Sequence, residues 1–261
     1  MIPKIIHYCW FGRKPLPKSA LKCISSWRKF FPDYVIKEWN EDNFDVHSIP
    51  YIHEAYECGK YAFVSDYARF WILYHYGGIY FDTDVEVIRP MNDIIKKGNF
   101  MGREAGAFIN SGIKGEVMDS DLGLGVAPGL GLGVAPGLAI IEEILSIYRK
   151  IHFLNKDGSL NLKTIVQYTT EVLANHGLNN NNQDPQLVAD VWIYPSDYFC
   201  PIDHTKANLL NITDRTVSIH HYDCSWLDKN SINYLLHVLK KKLVFLLGSD
   251  FVYAVCNILK R

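Results

Sequence analysis

The sequence predicts an α/β domain in which a largely parallel sheet is sandwiched between helices. Through the first hundred residues, apolar runs of strand length alternate with amphipathic helical stretches, the pattern of βαβ units. The 261 residues are 48% hydrophobic, enough for one large core and too apolar for a disordered chain. Charge is nearly balanced, with 27 Lys and Arg against 28 Asp and Glu, so the basic field that nucleic-acid binding requires is missing. Aromatic residues make up 13%, including 16 Tyr and 6 Trp, whose flat amphipathic rings suit stacking on bases and sugar faces.

Residues 4–10 form an apolar run closed by Phe11-Gly12 and followed by Pro15 and Pro17, hence a buried first strand and a loop. A helix is expected over 18–30, a strand over 34–39 and a polar turn over 40–43. Over 61–76, Phe63, Tyr67, Phe70, Trp71 and Tyr74 recur at helical spacing, and Gly77-Gly78 stops the helix. Strand 79–81 then runs into Asp82-Thr83-Asp84, with 85–88 extending beyond it. Past residue 105 the pattern loosens. The octapeptide GLGVAPGL at 123–130 recurs letter for letter at 131–138, and two uncharged, proline-containing copies predict a duplicated loop, too few for a solenoid. The alternative, a glycine-rich phosphate cradle, lacks the Lys-Ser/Thr that follows a P-loop. Helices are expected over 139–153 and 162–175, a polar loop over 179–183, strands over 191–194 and 216–220, and a helical tail over 231–261.

The N-terminal dozen residues contain Lys4 and His7 and no small-residue cleavage site, so the protein is expected in the cytoplasm. Its six cysteines lack metal-type pairing and are expected as buried, reduced thiols. No apolar run approaches the ~20 residues of a membrane span. Residues 229–261 carry six basic side chains and one acid, which leaves residues 1–228 at net −6. The division expected is a catalytic body, 1–228, and a basic amphipathic tail, 229–261. The tail either makes peripheral contact with an anionic inner membrane face or packs on the core with its lysines in water.

Asp82 and Asp84 lie two residues apart at the end of a strand, where extended backbone turns both carboxylates to one side, toward one divalent cation and its phosphate ligands. The carboxyl ends of strands are where ligands gather in open α/β sheets. On the preceding helix, Ser65, Asp66 and Arg69 lie within one turn, able to meet a diphosphate and hydroxyl groups together, or to form a plain ion pair in water. Farther on stands His220-His221-Tyr222-Asp223-Cys224-Ser225-Trp226. Neighbouring residues of a strand face opposite ways, so at most one of the two histidines reaches a metal held by the aspartates. Carboxylate, imidazole and phosphate oxygens together suit Mn²⁺ or Mg²⁺.

Four segments in order, IPKIIHYCWFG at 2–12, AFVSDYAR at 62–69, YGGIYFDTD at 76–84 and SIHH to SW at 218–226, resemble glycosyltransferase family 32. That resemblance spans nearly all of residues 1–227. It implies a GT-A fold, a Rossmann-like, nucleotide-sugar-binding mixed sheet flanked by helices, with Mn²⁺ or Mg²⁺ as cofactor and a UDP-sugar as donor. The implied activity is that of a retaining hexosyltransferase, moving a hexose from UDP-galactose or another UDP-hexose to a sugar hydroxyl in capsular or exopolysaccharide synthesis. The implied acceptor is a lipid-linked or free oligosaccharide. Carried over by position, Trp10 stacks on the base, Asp66 meets ribose or sugar hydroxyls, and Arg69 meets the sugar and diphosphate. Ser65, Tyr80 and Asp82 line the donor site, Asp84 is the more direct metal ligand beside Asp82, and His221 with Ser225 and Trp226 closes over the diphosphate and metal. Asp82, Asp84 and Arg69 are the implied catalytic set. The chain departs from the family pattern at 115–138, the duplicated region, which is expected to border the acceptor. Two other classes fit the aspartates alone: a metal-dependent phosphohydrolase and a non-catalytic sugar-nucleotide binding module.

Overall fold

The computed structural model describes residues 1–104, 125–179, 182–203 and 209–223. Along them run β1 (Ile5–Cys9), α1 (Lys18–Phe30), β2 (Val35–Trp39), α2 (Pro50–Glu57), α3 (Tyr61–Tyr76), β3 (Gly78–Tyr80), β4 (Val85–Val87), α4 (Asn92–Lys97), β5 (Phe100–Gly102) and β6 (Leu132–Val134). There follow α5 (Ala139–Tyr148), α6 (Ile165–Asn175), β7 (Gln186–Val188), β8 (Val191–Tyr194), α7 (Ser196–Phe199), β9 (Ile202–Asp203), β10 (Leu209–Leu210) and β11 (Ser218–His220). The expected tail lies outside the described residues, and no described helix is long and apolar enough to cross a membrane.

One seven-stranded sheet has the order β2-β1-β3-β6-β5-β8-β7. Strands β2, β1 and β3 are parallel, as are β5 and β8. β6, however, runs antiparallel to both β3 and β5, and β7 is antiparallel to β8, so the sheet is mixed and not largely parallel. The cause is the octapeptide. Its second copy, expected as loop, supplies β6, a central strand in which Leu132 and Val134 are buried on one face. Gly133 faces the other way, where a Cβ would stand 2.2 Å from the Phe100 ring, so only glycine lets that ring cross the strand. Composition alone hid the strand, because Gly133 within it and Gly131 and Pro136 around it read as loop residues.

The strands alternate as buried strands must. Ile6 and Tyr8 of β1, with Ile79 and Phe81 around β3, join one cluster that includes Ile24 and Trp27 of α1. Cys9, Tyr80 and Met101 face the opposite cluster, built on α2, α3, α5 and α6. Helix α1 forms because Ala20, Cys23, Ile24 and Trp27 fall on one stripe, and Trp27 Nε1 donates to Val85 O at 2.8 Å, tying the helix to β4. Helix α6 starts at Ile165, not 162, because Thr164 caps it: its hydroxyl accepts from the Gln167 N–H while Gln167 Oε1 accepts from the Thr164 N–H. Helices α2 and α4 and strand β5 are additions to the expected elements, each being only eight residues or fewer. Cys9, Cys23 and Cys200 are buried thiols outside any disulfide, whereas Cys58 is exposed.

Between the parallel strands His7 is 1% exposed. Its Nδ1 accepts from Trp39 Nε1 at 3.0 Å, which leaves Nε2–H to donate to Gly77 O at 2.9 Å, a neutral imidazole holding the end of α3 to the sheet. Burial pushes its pKa from 6.5 down to about 4. An unfolded chain therefore takes up a proton that the native state refuses, so the His7 contribution is complete above pH 6.5 and is lost as pH falls toward 4. The expected loss is about 3 kcal/mol at most. Urea unfolding of wild type and His7→Gln at pH 7.5 and 4.5 checks it: the wild type should lose more stability across this interval, and equal losses would remove His7 as the acid-sensitive group.

Candidate active site

β1 and β3 lie side by side in parallel register, Ile6 opposite Ile79 and His7 opposite Tyr80, so their carboxyl ends open at one sheet edge. Trp10 follows β1 there and Asp82 follows β3. The chain does not stay extended through the aspartates. Val85 N–H donates to Asp82 O at 3.0 Å, which closes a turn over 82–85, and the two carboxylates, expected on one side, diverge.

Asp82 turns toward α3. Arg69 Nη1 lies 3.3 Å from Asp82 Oδ1, and Tyr80 Oη donates to the same oxygen at 3.1 Å. Arg69 Nη2 meets Asp66 Oδ1 at 2.9 Å, its Nε donates to Ser65 O at 3.2 Å, and its guanidinium lies 4.8 Å from the Tyr80 ring centroid. Of the expected group, Asp66, Arg69, Tyr80 and Asp82 are brought together by one helical turn of α3 against the end of β3. The Ser65 hydroxyl instead donates back to Tyr61 O at 3.1 Å, and Ser65 meets Arg69 through its backbone carbonyl alone. The group is not an ion pair in water: Asp66 is 8% exposed and Arg69 4%. Burial pushes the Asp66 carboxyl up to about 7, against the pull of Arg69. Burial also opposes the Arg69 charge, yet Asp82, Tyr80 and Asp66 together hold it above its usual range.

Asp84 turns the other way, toward β11. Antiparallel pairing of β11 with β4 sets His220 opposite Val85, and His220 Nε2 stands 3.1 Å from Asp84 Oδ1 and 4.0 Å from Asp82 Oδ2. The Asp223 N–H donates to Asp84 Oδ2 at 3.0 Å. Burial opposes ionisation of Asp84, but the His220 ring and that N–H hold its carboxyl down to about 2. For His220, burial works against the charge and Asp84 raises it. The histidine expected here was His221. The structure places His220 instead, because the strand alternates and the register turns His221 to the far face, where its Nε2 meets Glu86 Oε2 at 2.8 Å. Ser225 and Trp226 lie outside the described residues.

The donors fit a divalent cation. In a six-coordinate Mg²⁺ or Mn²⁺ site with bonds near ~2.1 Å, adjacent ligand atoms stand about 3 Å apart. Asp84 Oδ1 and His220 Nε2, hydrogen-bonded to each other at 3.1 Å, are at a separation that also matches that spacing. Among the described residues His220 Nδ1 is buried with no hydrogen-bond partner, while its Nε2 faces the carboxylates. Asp82, drawn off by Arg69 and Tyr80, is the more distant donor. Because of that divergence, the three-donor group that closes within 4.8 Å among the described residues is a different one, His47, His53 and Glu57, which is exposed around α2. Trp10 Nε1 donates to Lys14 O at 2.6 Å, which fixes its half-buried indole at the edge of the site.

Two contributors were not foreseen. Glu104, 4% exposed, accepts from Tyr222 Oη at 3.1 Å, and the Tyr222 ring packs on His220 with centroids 4.1 Å apart. Burial pushes the Glu104 carboxyl up, against Tyr222 and His220. Gly129, in the first octapeptide copy, accepts from the Asp82 N–H at 3.0 Å. No local signal marks Glu104, whereas the glycine-rich octapeptide is itself the signal that marks Gly129.

Residues 17–101, which hold α1 through β5 and the Arg69 cluster, match the model of the glycosyltransferase sugar-binding region containing DXD motif. Over this region the chain is similar to the DXD-containing glycosyltransferases that its motifs resemble. It is similar to inositol phosphoceramide mannosyltransferase 1 of Schizosaccharomyces pombe, 29% identical over 111 residues, which are 38% of this chain and 33% of that protein. An uncharacterized glycosyltransferase of Acanthamoeba polyphaga mimivirus is 33% identical over 106 residues, 38% of this chain and 42% of that one. Among solved structures, the PaToxG glycosyltransferase aligns with a TM-score of 0.46 and 19% identity over 67% of this chain and 69% of that chain. The chain spans about a third of the length of the yeast relatives it matches.

Proposed function

We propose that the protein is a metal-dependent, retaining hexosyltransferase that takes a hexose from a nucleotide diphosphate sugar and passes it to a hydroxyl of a glycan. One observation carries this: the Asp84 and His220 pair, spaced for one cation, stands beside the Asp82–Arg69–Asp66 cluster at the carboxyl ends of β1 and β3. Asp84 and His220 would hold Mn²⁺ or Mg²⁺, with Asp82 beside them. When bound, the cation supplies a Lewis acid that neutralises charge on the leaving diphosphate. Arg69 fixes Asp82 toward the sugar and adds positive potential beneath it. Trp10 offers its indole face to the base. The acceptor hydroxyl attacks the anomeric carbon on the face from which the phosphate oxygen departs. As the new C–O bond forms the old one breaks, the phosphate oxygen takes the hydroxyl proton, and configuration is retained.

The donor we favour is a UDP-hexose such as UDP-galactose. A mannose donor is the second reading, because relatives from two yeasts are named as mannosyltransferases or mannosyl phosphorylinositol ceramide synthases. The ceramide in those names also favours a lipid-linked acceptor, in capsular or exopolysaccharide synthesis at the cytoplasmic membrane face, where the basic residues of 229–261 would meet anionic lipid. Incubation with Mn²⁺ and a panel of UDP- and GDP-sugars, following free nucleotide, tests the proposal. Slow release from one donor, stopped by EDTA, is the expected result. Release that persists in EDTA would refute metal dependence, phosphate release from simple phosphoesters would point to a phosphohydrolase, and donor binding without turnover to a binding module.

A further inference from the structure

The two octapeptide copies are identical in sequence and opposite in use. The second supplies the central strand β6. The first only brushes the sheet, where Val126 bridges Arg103 antiparallel just past β5 and Ala127 N–H donates to Gly102 O at 2.9 Å, and then turns away. Val126 N–H donates to Thr170 Oγ1 at 3.0 Å and Leu130 N–H to Ala127 O at 3.2 Å, so 127–130 is an anchored tight turn with Ala127 and Leu130 buried. Gly129 is carried by this turn onto the cluster beneath the DXD motif. A Cβ there would stand 1.8 Å from Asp82 Oδ2 and 2.9 Å from Arg69 Nη1. Gly137, its counterpart in the second copy, has no atom of the described residues within 4 Å of its own Cβ position. One letter of one repeat thus meets the site in the first copy and open space in the second.

We propose that the turn 127–130 is the wall of the sugar subsite, and that Gly129 sets the depth of that subsite by letting bare backbone lie against Asp82 and Arg69. Gly129 is a specificity-determining and positioning residue: its carbonyl accepts from the Asp82 N–H, and its missing side chain leaves the Asp82 carboxylate turned to Arg69. The inference rests on the reading that Asp82 and Arg69 face the donor hexose. The duplication explains how the wall arose without loss of the strand. Deleting either copy yields one and the same sequence, and a single copy is claimed by β6, which is hydrogen-bonded to β3 and β5 on its two sides. A single-copy chain therefore keeps the sheet and loses the wall.

The test compares the full chain with Gly129→Ala, Gly137→Ala and the single-copy deletion, measuring binding of UDP and UDP-galactose, and of GDP and GDP-mannose, each with Mn²⁺, by calorimetry. UDP and GDP report the metal and base contacts, and the nucleotide sugars add the subsite. Gly129→Ala should weaken the sugar form about 10- to 200-fold, the range of one methylene in a pocket, and the free diphosphate at least about fivefold less than that, since Asp82 stands beside the cation without being its main ligand. Gly137→Ala, which strains a left-handed backbone at φ +74° but meets open space, should alter neither. The single-copy chain should repeat the selective loss and decides the matter if Gly129→Ala does not fold. Unchanged sugar binding in Gly129→Ala, or equal loss of sugar and free diphosphate in both altered chains, would overturn the wall. A wild type that binds none of the four ligands would overturn the transferase reading itself and this inference with it.

Discussion

Replacing Asp84 by asparagine is expected to lower nucleotide-sugar turnover about 10³-fold, the scale of removing one charge-stabilising group from a transition state. Mn²⁺ affinity should fall at least about 100-fold, because even partners behind a metal ligand cost 10- to 100-fold. The reason is geometric. Asp84 Oδ1 stands 3.1 Å from His220 Nε2, and the His220 ring with the Asp223 N–H holds its charge against burial, so Asp84 is the carboxylate best placed beside that nitrogen. Asp82→Asn should weaken Mn²⁺ less, since its carboxylate is engaged by Arg69 and Tyr80. Electron paramagnetic resonance titration of free Mn²⁺ reads affinity without turnover. An Asp84→Asn protein that binds Mn²⁺ like wild type would move the metal away from this pair.

Arg69→Met is expected to destabilise the protein by about 3–5 kcal/mol, because it leaves Asp66 buried and Asp82 without their shared cation. For a chain of this size the melting temperature should fall on the order of 10 °C. Arg69→Lys should not restore it. One ammonium cannot meet Asp66 Oδ1, Asp82 Oδ1 and Ser65 O, which the guanidinium reaches with three separate nitrogens. Adding Asp66→Leu to Arg69→Met should recover part of the stability and none of the nucleotide release, separating the structural from the chemical role. Loss of under about 1 kcal/mol in Arg69→Met would mean that water already compensates Asp66 and that the cluster is looser than its distances imply.

The sequence by itself determined the elements whose signals are local. Helices 18–30 and 61–76 and strand 191–194 coincide with α1, α3 and β8, because each is marked by side-chain period and by the residues that close it. The members of the Ser65–Asp66–Arg69 and Asp82–Asp84 groups were also legible, since their chemistry and short spacing need no long-range information. Tertiary structure decided everything that depends on register. It split the two aspartates by a turn, gave one to Arg69 and the other to a histidine from far along the chain, and selected His220 over His221 through the pairing of β11 with β4. It also turned two identical octapeptides into a sheet strand and a site wall. A sequence of eight letters carries one set of propensities, and only the neighbours that each copy meets, Phe100 for one and Asp82 with Arg69 for the other, make the difference between them.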